Sequence, residues 1–159
     1  MESLERAEHL KSICLRLLAR REHSALQLKL KLKKRGYDGI EVDRVIEQLS
    51  TQGLQCNKRF AEDYCRYRVA RGYGPLRIHQ ELRERGVSES VIGQCLSELN
   101  DSWHEVIAVE FRKKQKKNFL QSDDSLLKTI RFLARRGFTS EQIRKVLDGY
   151  SASSVIDRV

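Results

Sequence analysis

Three segments of the chain share one pattern around a glycine: Leu32-Lys-Lys-Arg-Gly36-Tyr37-Asp38, Leu82-Arg-Glu-Arg-Gly86-Val87-Ser88 and Leu133-Ala-Arg-Arg-Gly137-Phe138-Thr139. The glycines are separated by 50 and 51 residues, and each follows an arginine. A leucine also stands ten residues before each glycine, and apolar residues recur six, nine and ten residues after it. Agreement at a fixed period indicates a tandem repeat present in three copies.

Each glycine marks the predicted end of one helix and the approach to another. It follows an apolar stripe, and glycine readily adopts the left-handed conformation that ends a helix. The preceding arginine lies favourably near the negative end of the helix dipole. The residues two positions after the glycines are candidate N-caps for the next helix: Asp38, Ser88 and Thr139. Two of them have the spacing of a capping box, in the pairs Asp38–Glu41 and Thr139–Gln142.

The helix before each glycine is expected to start at Ser24, Gly74 or Ser125. Pro75 then falls at a first helical position, where its missing N–H costs nothing. The leucines from Leu26 to Leu32 alternate with polar residues, which alone would favour a strand. Because the same positions have helical periodicity in the other two copies, a helix is predicted. Leu30, which matches Gln80 and Arg131, should be at least partly exposed.

A further helix is predicted before each pair, since apolar residues recur there at spacings of three, four and seven. The predicted fold is therefore all-α, with three tandem three-helix, helix–turn–helix-like repeats forming an elongated, curved molecule. The repeats should span residues 9–54, 55–101 and 102–150, with an insertion near 116–124 that extends a helix and adds a loop, and with a tail over 151–159. Units of ~50 residues are marginally stable alone, so neighbouring repeats should dock.

Composition agrees with shallow cores and a negatively charged partner. Only 40% of the 159 residues are hydrophobic and 33% are charged, which is little for one spherical core. The formal net charge of +9 favours nucleic acid, an anionic membrane or an acidic protein surface as a partner. No apolar run approaches the length of a membrane span, and the N-terminus lacks a signal-peptide core. We expect a cytoplasmic protein that does not bind membranes.

Nothing in the sequence indicates catalysis. The four cysteines have no metal-binding spacing; three are expected to be in or near the core, whereas Cys56 lies in a connector and is expected to be more exposed. The sequence has no glycine-rich phosphate loop and no nucleophile elbow, and its four histidines are scattered. We expect a monomeric, non-enzymatic protein without cofactor or metal.

Three basic segments are candidate contact surfaces: 29–35, 66–77 and 112–117. A solvated helix surface is the alternative interpretation for all three, and it carries less weight for the second. The second mixes arginine with tyrosine, the residue types that anchor interfaces, and its glycines could bring the backbone close to a partner. The residues predicted to bind the partner are Arg66, Arg68, Arg71, Tyr73, Arg77, Lys31 and Lys34.

Several segments resemble the RecX family of recombination regulators: Leu18-Ala-Arg-Arg-Glu-His-Ser24, Arg59-Phe60-Ala61, Arg71-Gly-Tyr-Gly-Pro75, Gln80-Glu-Leu82, Asp101-Ser-Trp103 and Arg131-Phe-Leu-Ala-Arg-Arg-Gly-Phe138. The resemblance covers roughly residues 10–148 and implies a bacterial protein that binds RecA. Members are thought to lodge in the groove of the RecA–single-stranded-DNA filament and block its extension. They thereby suppress ATP hydrolysis, strand exchange and the coprotease role in the SOS response.

One segment departs from the family pattern. The connector before Arg59 usually carries two acidic residues, but here it reads Gln55-Cys56-Asn57. Asn57 can still cap the following helix, without the charge.

Two other roles stay open at this point. A helix–turn–helix protein could act directly on nucleic acid, with single-stranded DNA as a possible ligand, and a structural adaptor would need no DNA at all. Acidic residues in the second helix of each pair, such as Glu47 and Glu98, disfavour base reading close to phosphates. The leading prediction is a modulator of the RecA filament.

Overall fold

The computed structural model of the chain describes residues 2–117 and 123–156. Within these ranges the secondary structure is helical, without strands. A short 3₁₀ helix at Asn100–Ser102 precedes the seventh of nine α-helices: α1 (Glu2–Leu18), α2 (Ala25–Lys33), α3 (Ile40–Thr51), α4 (Asn57–Ala70), α5 (Pro75–Glu84), α6 (Glu89–Ser97), α7 (Trp103–Lys117), α8 (Asp123–Arg136) and α9 (Ser140–Ile156). The predicted all-α fold is confirmed, including the helix through the alternating leucines.

The three glycine corners have the same hydrogen bonds. Gly36 N–H donates to Lys33 O at 3.0 Å, and Tyr37 N–H donates to Leu32 O at 3.1 Å. The same two bonds form after α5 and after α8, where the glycines are Gly86 and Gly137. All three glycines have positive φ, between 76° and 91°. This is the Schellman motif, and it confirms the predicted helix ends.

Several predicted helix starts are also confirmed. Ser24 caps α2, since its Oγ accepts the Gln27 N–H at 3.1 Å. Pro75 is the first residue of α5. Thr139 and Gln142 form the predicted reciprocal capping box, with bonds of 2.9 Å and 3.2 Å. Each of these residues gives a helix terminus a partner for an otherwise unpaired backbone amide, or omits that amide.

Three predictions about helix starts are wrong. Asp38 does not cap α3, because Gly39 takes a φ of 86° and becomes the residue before the helix. Ser125 does not begin α8, because the helix starts two residues earlier, at Asp123, a residue type that also suits helix N-termini. Asn57 is the first residue of α4, but its Oδ1 accepts the N–H of Ala25 at 3.0 Å and so serves α2 instead.

The described residues fall into two compact units. Unit one contains the chain up to Tyr64 together with Leu82–Gly93, and unit two contains Cys65–Glu81 and the chain from Gln94 onward. Helices α1, α2 and α3 enclose one core in unit one, consisting of Leu10, Ile13, Cys14, Leu28, Leu32, Val42, Val45, Ile46 and Leu49. Helices α7, α8 and α9 enclose another in unit two, consisting of Ile107, Phe111, Leu133, Phe138 and Ile143.

The cysteines are placed as predicted. Cys14, Cys65 and Cys95 are buried, and Cys56 is half-buried. Burial raises the pKa of the Cys14 thiol to about 11, so this residue behaves as a small apolar side chain. Leu30 is also as predicted, with 49% of its surface exposed.

Candidate partner-binding surface

The corner between α4 and α5 brings most of the predicted contact residues together in unit two. Helix α4 ends at Ala70 and is followed by Gly72, whose φ is 77° and whose N–H donates to Val69 O at 2.8 Å. Tyr73 N–H donates to Arg68 O at 3.1 Å, and α5 begins two residues later. This corner has the same Schellman bonds as the three repeat glycines, and it places Tyr73 between arginines of both helices.

The same corner is docked onto the end of α8 by main-chain hydrogen bonds. Gly74 N–H donates to Arg136 O at 2.8 Å, and Leu76 N–H donates to Gly137 O at 3.0 Å. Amides at the start of a helix and carbonyls at the end of a helix have no partner within their own helix. The start of α5 and the end of α8 therefore satisfy each other, and their opposite dipole ends meet.

Glycine is required on both sides of this junction. A Cβ atom on Gly74 would lie 2.5 Å from the carbonyl carbon and oxygen of Gly137, and one on Gly137 would lie 2.4 Å from Arg77 Cβ. A Cβ on Gly72 would lie 2.2 Å from Glu110 Cδ. The glycines thus allow the close backbone approach that the sequence suggested, but the segment that approaches belongs to the same chain.

Tyr73 is the centre of a cluster of guanidinium groups. The Cζ atoms of Arg68, Arg77 and Arg136 lie 3.6, 4.7 and 4.7 Å from the centre of its ring. Glu81 balances two of these charges: its carboxylate accepts bonds from Nε and Nη2 of Arg68, the first at 2.7 Å, and from Arg77 Nε at 3.0 Å. Since Arg68 is only 9% exposed, its guanidinium group serves mainly this internal cluster.

A second carboxylate, that of Glu110, is buried beside the cluster with 4% of its side chain exposed. Its Oε1 accepts a bond from Lys113 Nζ at 2.8 Å, and its Oε2 lies 3.4 Å from Arg136 Nη2. Arg136 Nη1 also donates to the carbonyl of Arg71 at 2.7 Å. Sequence reasoning missed Glu81, Glu110 and Arg136, because their pairing depends on a tertiary contact that no local pattern signals.

The outward side of the corner exposes arginine and tyrosine side chains. Arg66 and Arg71 are exposed. The Arg71 Cζ lies 4.5 Å from the centre of the Tyr67 ring, which is 50% exposed. The Arg77 side chain is 45% exposed, although Arg77 Nη1 donates to Arg135 O at 3.2 Å. Sequence reasoning also omitted Tyr67 from the contact set. Its signal was a position four residues before Arg71, about one helical turn away at the end of α4.

The remaining predicted residues lie at the end of α2, in unit one. Lys31 is half-buried, whereas Lys34, the C-cap residue of α2, is exposed together with Lys33 and Arg35. Lys29 is paired, with its Nζ at 2.6 Å from Asp43 Oδ1. The basic run of 29–35 is therefore partly neutralised at its start, and its exposed positive charge gathers toward its end.

In the third basic run, 112–117, the described lysine side chains contact residues of the same chain. Lys113 pairs with Glu110, and Lys114 Nζ lies 5.3 Å from the centre of the Phe132 ring. Helix α7 extends through this run to Lys117. The Lys116 and Lys117 side chains, and the predicted loop that follows, lie outside the described residues.

The described surface exposes charged and aromatic side chains. Across residues 2–117 and 123–156, no three His, Cys, Asp or Glu side chains are grouped closely enough to hold a metal ion. Among the same residues, no helix has the length and apolar character needed to cross a bilayer. What is exposed instead are guanidinium and ammonium groups that can bind phosphate or carboxylate.

Three family models match successive segments of the chain. Models of the first, second and third three-helix domains of RecX match residues 11–49, 58–96 and 107–147. Regulatory protein RecX of Halorhodospira halophila is 42% identical over 142 residues, covering 87% of this chain and 86% of that protein. Regulatory protein RecX of Legionella pneumophila is 37% identical over 142 residues, covering 89% and 95%.

Two crystal structures share the fold. One, of RecX from Lactobacillus salivarius, has a TM-score of 0.83 at 18% identity and covers 94% of this chain and 99% of that chain. Another, titled regulatory protein RecX, has a TM-score of 0.82 at 23% identity and covers 89% and 73%. At these identities, the likeness concerns the arrangement of the helices.

Proposed function

Because this chain belongs to the RecX family of regulatory proteins, we propose that it binds the RecA–single-stranded-DNA filament through its basic surface. In this proposal it mainly inhibits filament extension, and with it the ATPase, strand-exchange and coprotease activities of RecA. The protein acts by binding and catalyses no reaction of its own.

The direction in which the charges face is the observation that carries this proposal. At the α4–α5 corner, the carboxylates of Glu81 and Glu110 face inward, with 16% and 4% of their side chains exposed. Arginines such as Arg71 lie on the outside of the same corner. A surface built this way is positive toward a partner while its interior is compensated. Such a surface attracts a polyanionic assembly and speeds the encounter with it.

The contact residues we propose are those with outward-facing groups. Arg66, Arg71 and Arg77 can reach phosphate or carboxylate groups in unit two, and Lys31 and Lys34 can do so in unit one. Arg68 and Tyr73 support the surface from beneath: the guanidinium of Arg68 is held by Glu81, and the Tyr73 ring lies among three guanidinium groups. Their contribution to binding is to hold the corner in shape.

The acids of the second helices favour this function over base reading by a helix–turn–helix. Glu47 of α3, Glu98 just after α6 and Asp148 of α9 are all exposed. A helix inserted into a DNA groove would bring such carboxylates near phosphates, which repels the strand. Binding of single-stranded DNA, where it occurs, would then be a secondary contact through the basic surfaces.

Titration of the DNA-dependent ATPase of RecA tests the proposal. A filament regulator should inhibit at amounts well below one molecule per RecA protomer, because one bound molecule affects a growing filament end or several protomers. A protein that merely competes for bare DNA should inhibit only when it coats the strand, with affinity that falls steeply as salt rises. The second result, or failure to pellet with assembled filaments, would refute the proposed function.

A further inference from the structure

Leu30 occupies the centre of the outward side of α2. The core side of this helix is formed by Leu28 and Leu32, which are fully buried. Successive residues turn by about 100° around a helix, so Leu30 points about 180° away from the mean direction of those two leucines. Its 49% exposure follows from that position and not from a frayed end, since the Leu30 carbonyl accepts the Lys34 N–H at 3.1 Å.

Two exposed ammonium groups adjoin this leucine toward the C-terminal end of its helix. Lys33 and Lys34, three and four residues further along, are its neighbours on the same side and are exposed. The α2 sequence, Ala-Leu-Gln-Leu-Lys-Leu-Lys-Leu-Lys, contains no acidic residue. The charge pair of Lys29 with Asp43 lies to one side. An exposed apolar side chain thus lies beside positive charge.

The fold itself does not require a leucine here. The equivalent residues of the other two repeats are Gln80 and Arg131, and both are exposed. The buried leucines of the pattern, in contrast, occur in all three repeats: Leu32, Leu82 and Leu133 are each fully buried. Leu30 is therefore an addition specific to the first repeat.

We propose that Leu30, Lys33 and Lys34 form a docking surface for an acidic protein segment that carries an apolar side chain between its carboxylates. The inference rests on the proposed function and assigns this segment to RecA in the filament, not to the DNA. Interfaces commonly place an apolar contact at the centre and charges at the rim. Leu30 would bury an apolar side chain of the segment, and the two lysines would pair with its carboxylates.

Charge and side-chain type favour a protein segment over nucleic acid. Phosphates are bound by cations and hydrogen-bond donors and gain nothing from an aliphatic side chain, and unpaired bases are usually stacked on aromatic rings. Helix α2 offers no aromatic side chain. An aliphatic side chain at the centre of the surface gains most from burial against another apolar side chain, and an acidic segment supplies the complementary charge.

The test is co-sedimentation with RecA filaments assembled on single-stranded DNA with a non-hydrolysable ATP analogue. We compare the wild-type chain with two variants. Leu30→Gln introduces the residue type of Gln80, and Leu30→Lys introduces a positive charge like that of Arg131. Both should raise the Kd for the filament about five- to tenfold, because the buried apolar contact is lost. The matched control is Leu54→Gln, an exposed leucine of the same unit (43% exposed), which should bind as the wild type does.

Leu30→Lys separates apolar contact from charge. If positive charge alone attracted the partner, the added lysine would leave binding unchanged or tighten it, and that result would overturn the inference. Equal weakening of binding to free oligodeoxythymidylate by both variants would assign the surface to nucleic acid and would also overturn it. Failure of the wild-type chain to co-sediment removes the proposed function and this inference with it.

Thermal unfolding of both Leu30 variants serves as the folding control. Both should unfold near the wild-type temperature, because glutamine and arginine occupy the equivalent exposed positions in the other repeats. Loss of helix in both variants would mean that Leu30 is needed for the fold and not for docking, and would reject the inference.

Discussion

Gly86 and Gly137 end equivalent helices in consecutive repeats, yet they contact their neighbours in different ways. Within unit one, a Cβ on Gly86 would lie 2.9 Å from Leu26 Cβ, so a side chain packs over the glycine. Within unit two, Gly137 is approached by the backbone of α5, with its carbonyl bonded to Leu76 N–H. Leu26 and Leu76 are equivalent positions, so both corners meet the first turn of the second helix in the preceding repeat.

The comparison separates two reasons for glycine in one repeated motif. The positive φ is shared by all three corners. Gly36, in the first of the three repeats, needs glycine for that reason alone, since no described residue lies within 4 Å of an added Cβ. Close packing is added at Gly86 and becomes backbone contact at Gly137. The same glycine can thus be required for its positive φ in one repeat and for both positive φ and close packing in another.

The largest effect is expected for Gly137→Ala. Alanine at a φ of 91° is strained, and its Cβ would lie 2.5 Å from the backbone nitrogen of Arg77, which cannot rotate away. We expect the free energy of unfolding to fall by about 4 kcal/mol, the sum of strain and overpacking. Urea unfolding followed by circular dichroism measures it. A loss no greater than that of Gly36→Ala would contradict the backbone contact.

An intermediate effect is expected for Arg136→Met, which removes the side-chain part of the same junction. The variant loses the bond to the Arg71 carbonyl and leaves the buried Glu110 carboxylate with Lys113 as its remaining cation among the described residues. A stability loss of about 2 kcal/mol is expected, because a buried carboxylate that loses one partner is destabilising. If the coupling exists, the double variant with Glu110→Gln should lose less than the two single variants together. Strict additivity in this double-mutant cycle would show that the two residues act independently.

The smallest effects are expected for Gly86→Ala and Gly36→Ala. Both introduce a side chain at positive φ, which costs about 1 kcal/mol. Gly86→Ala adds a displacement of the Leu26 side chain, which can change rotamer, so its loss should reach only about 2 kcal/mol. Equal stability losses for Gly86→Ala and Gly36→Ala would mean that the contact with Leu26 contributes nothing. A loss for Gly86→Ala as large as that for Gly137→Ala would remove the distinction between side-chain and backbone packing.

Sequence reasoning recovered the elements whose signals are local. The glycine helix ends, the start of α5 at Pro75 and the capping box at Thr139 each depend on residues within one turn, and each is confirmed. Asp38 failed as a cap because Gly39 has its own backbone preference, which a match to the other repeats hides. The failure at Ser125 has the same character: another polar residue type upstream also suits a helix start.

The candidate site was less predictable because its residues divide according to tertiary contacts. Arg68 and Arg71 are alike in sequence terms, three residues apart in one basic segment. The first is buried against Glu81, whereas the second is exposed over Tyr67. No local pattern distinguishes an arginine that is buried in an internal ion pair from one whose side chain is exposed. The seven predicted contact residues remain predictions, and the exposed ones are the first to test.

The junction of α5 with α8 has a consequence for how such chains diverge. Two of its hydrogen bonds join main-chain atoms, the amides of Gly74 and Leu76 to the carbonyls of Arg136 and Gly137. Main-chain groups are supplied by almost any residue, so these two bonds depend on side-chain identity only at the glycines that let the backbones approach. The exposed positions around the junction can then change while the two helices stay joined. This is one physical route by which a chain 18% identical retains the same fold.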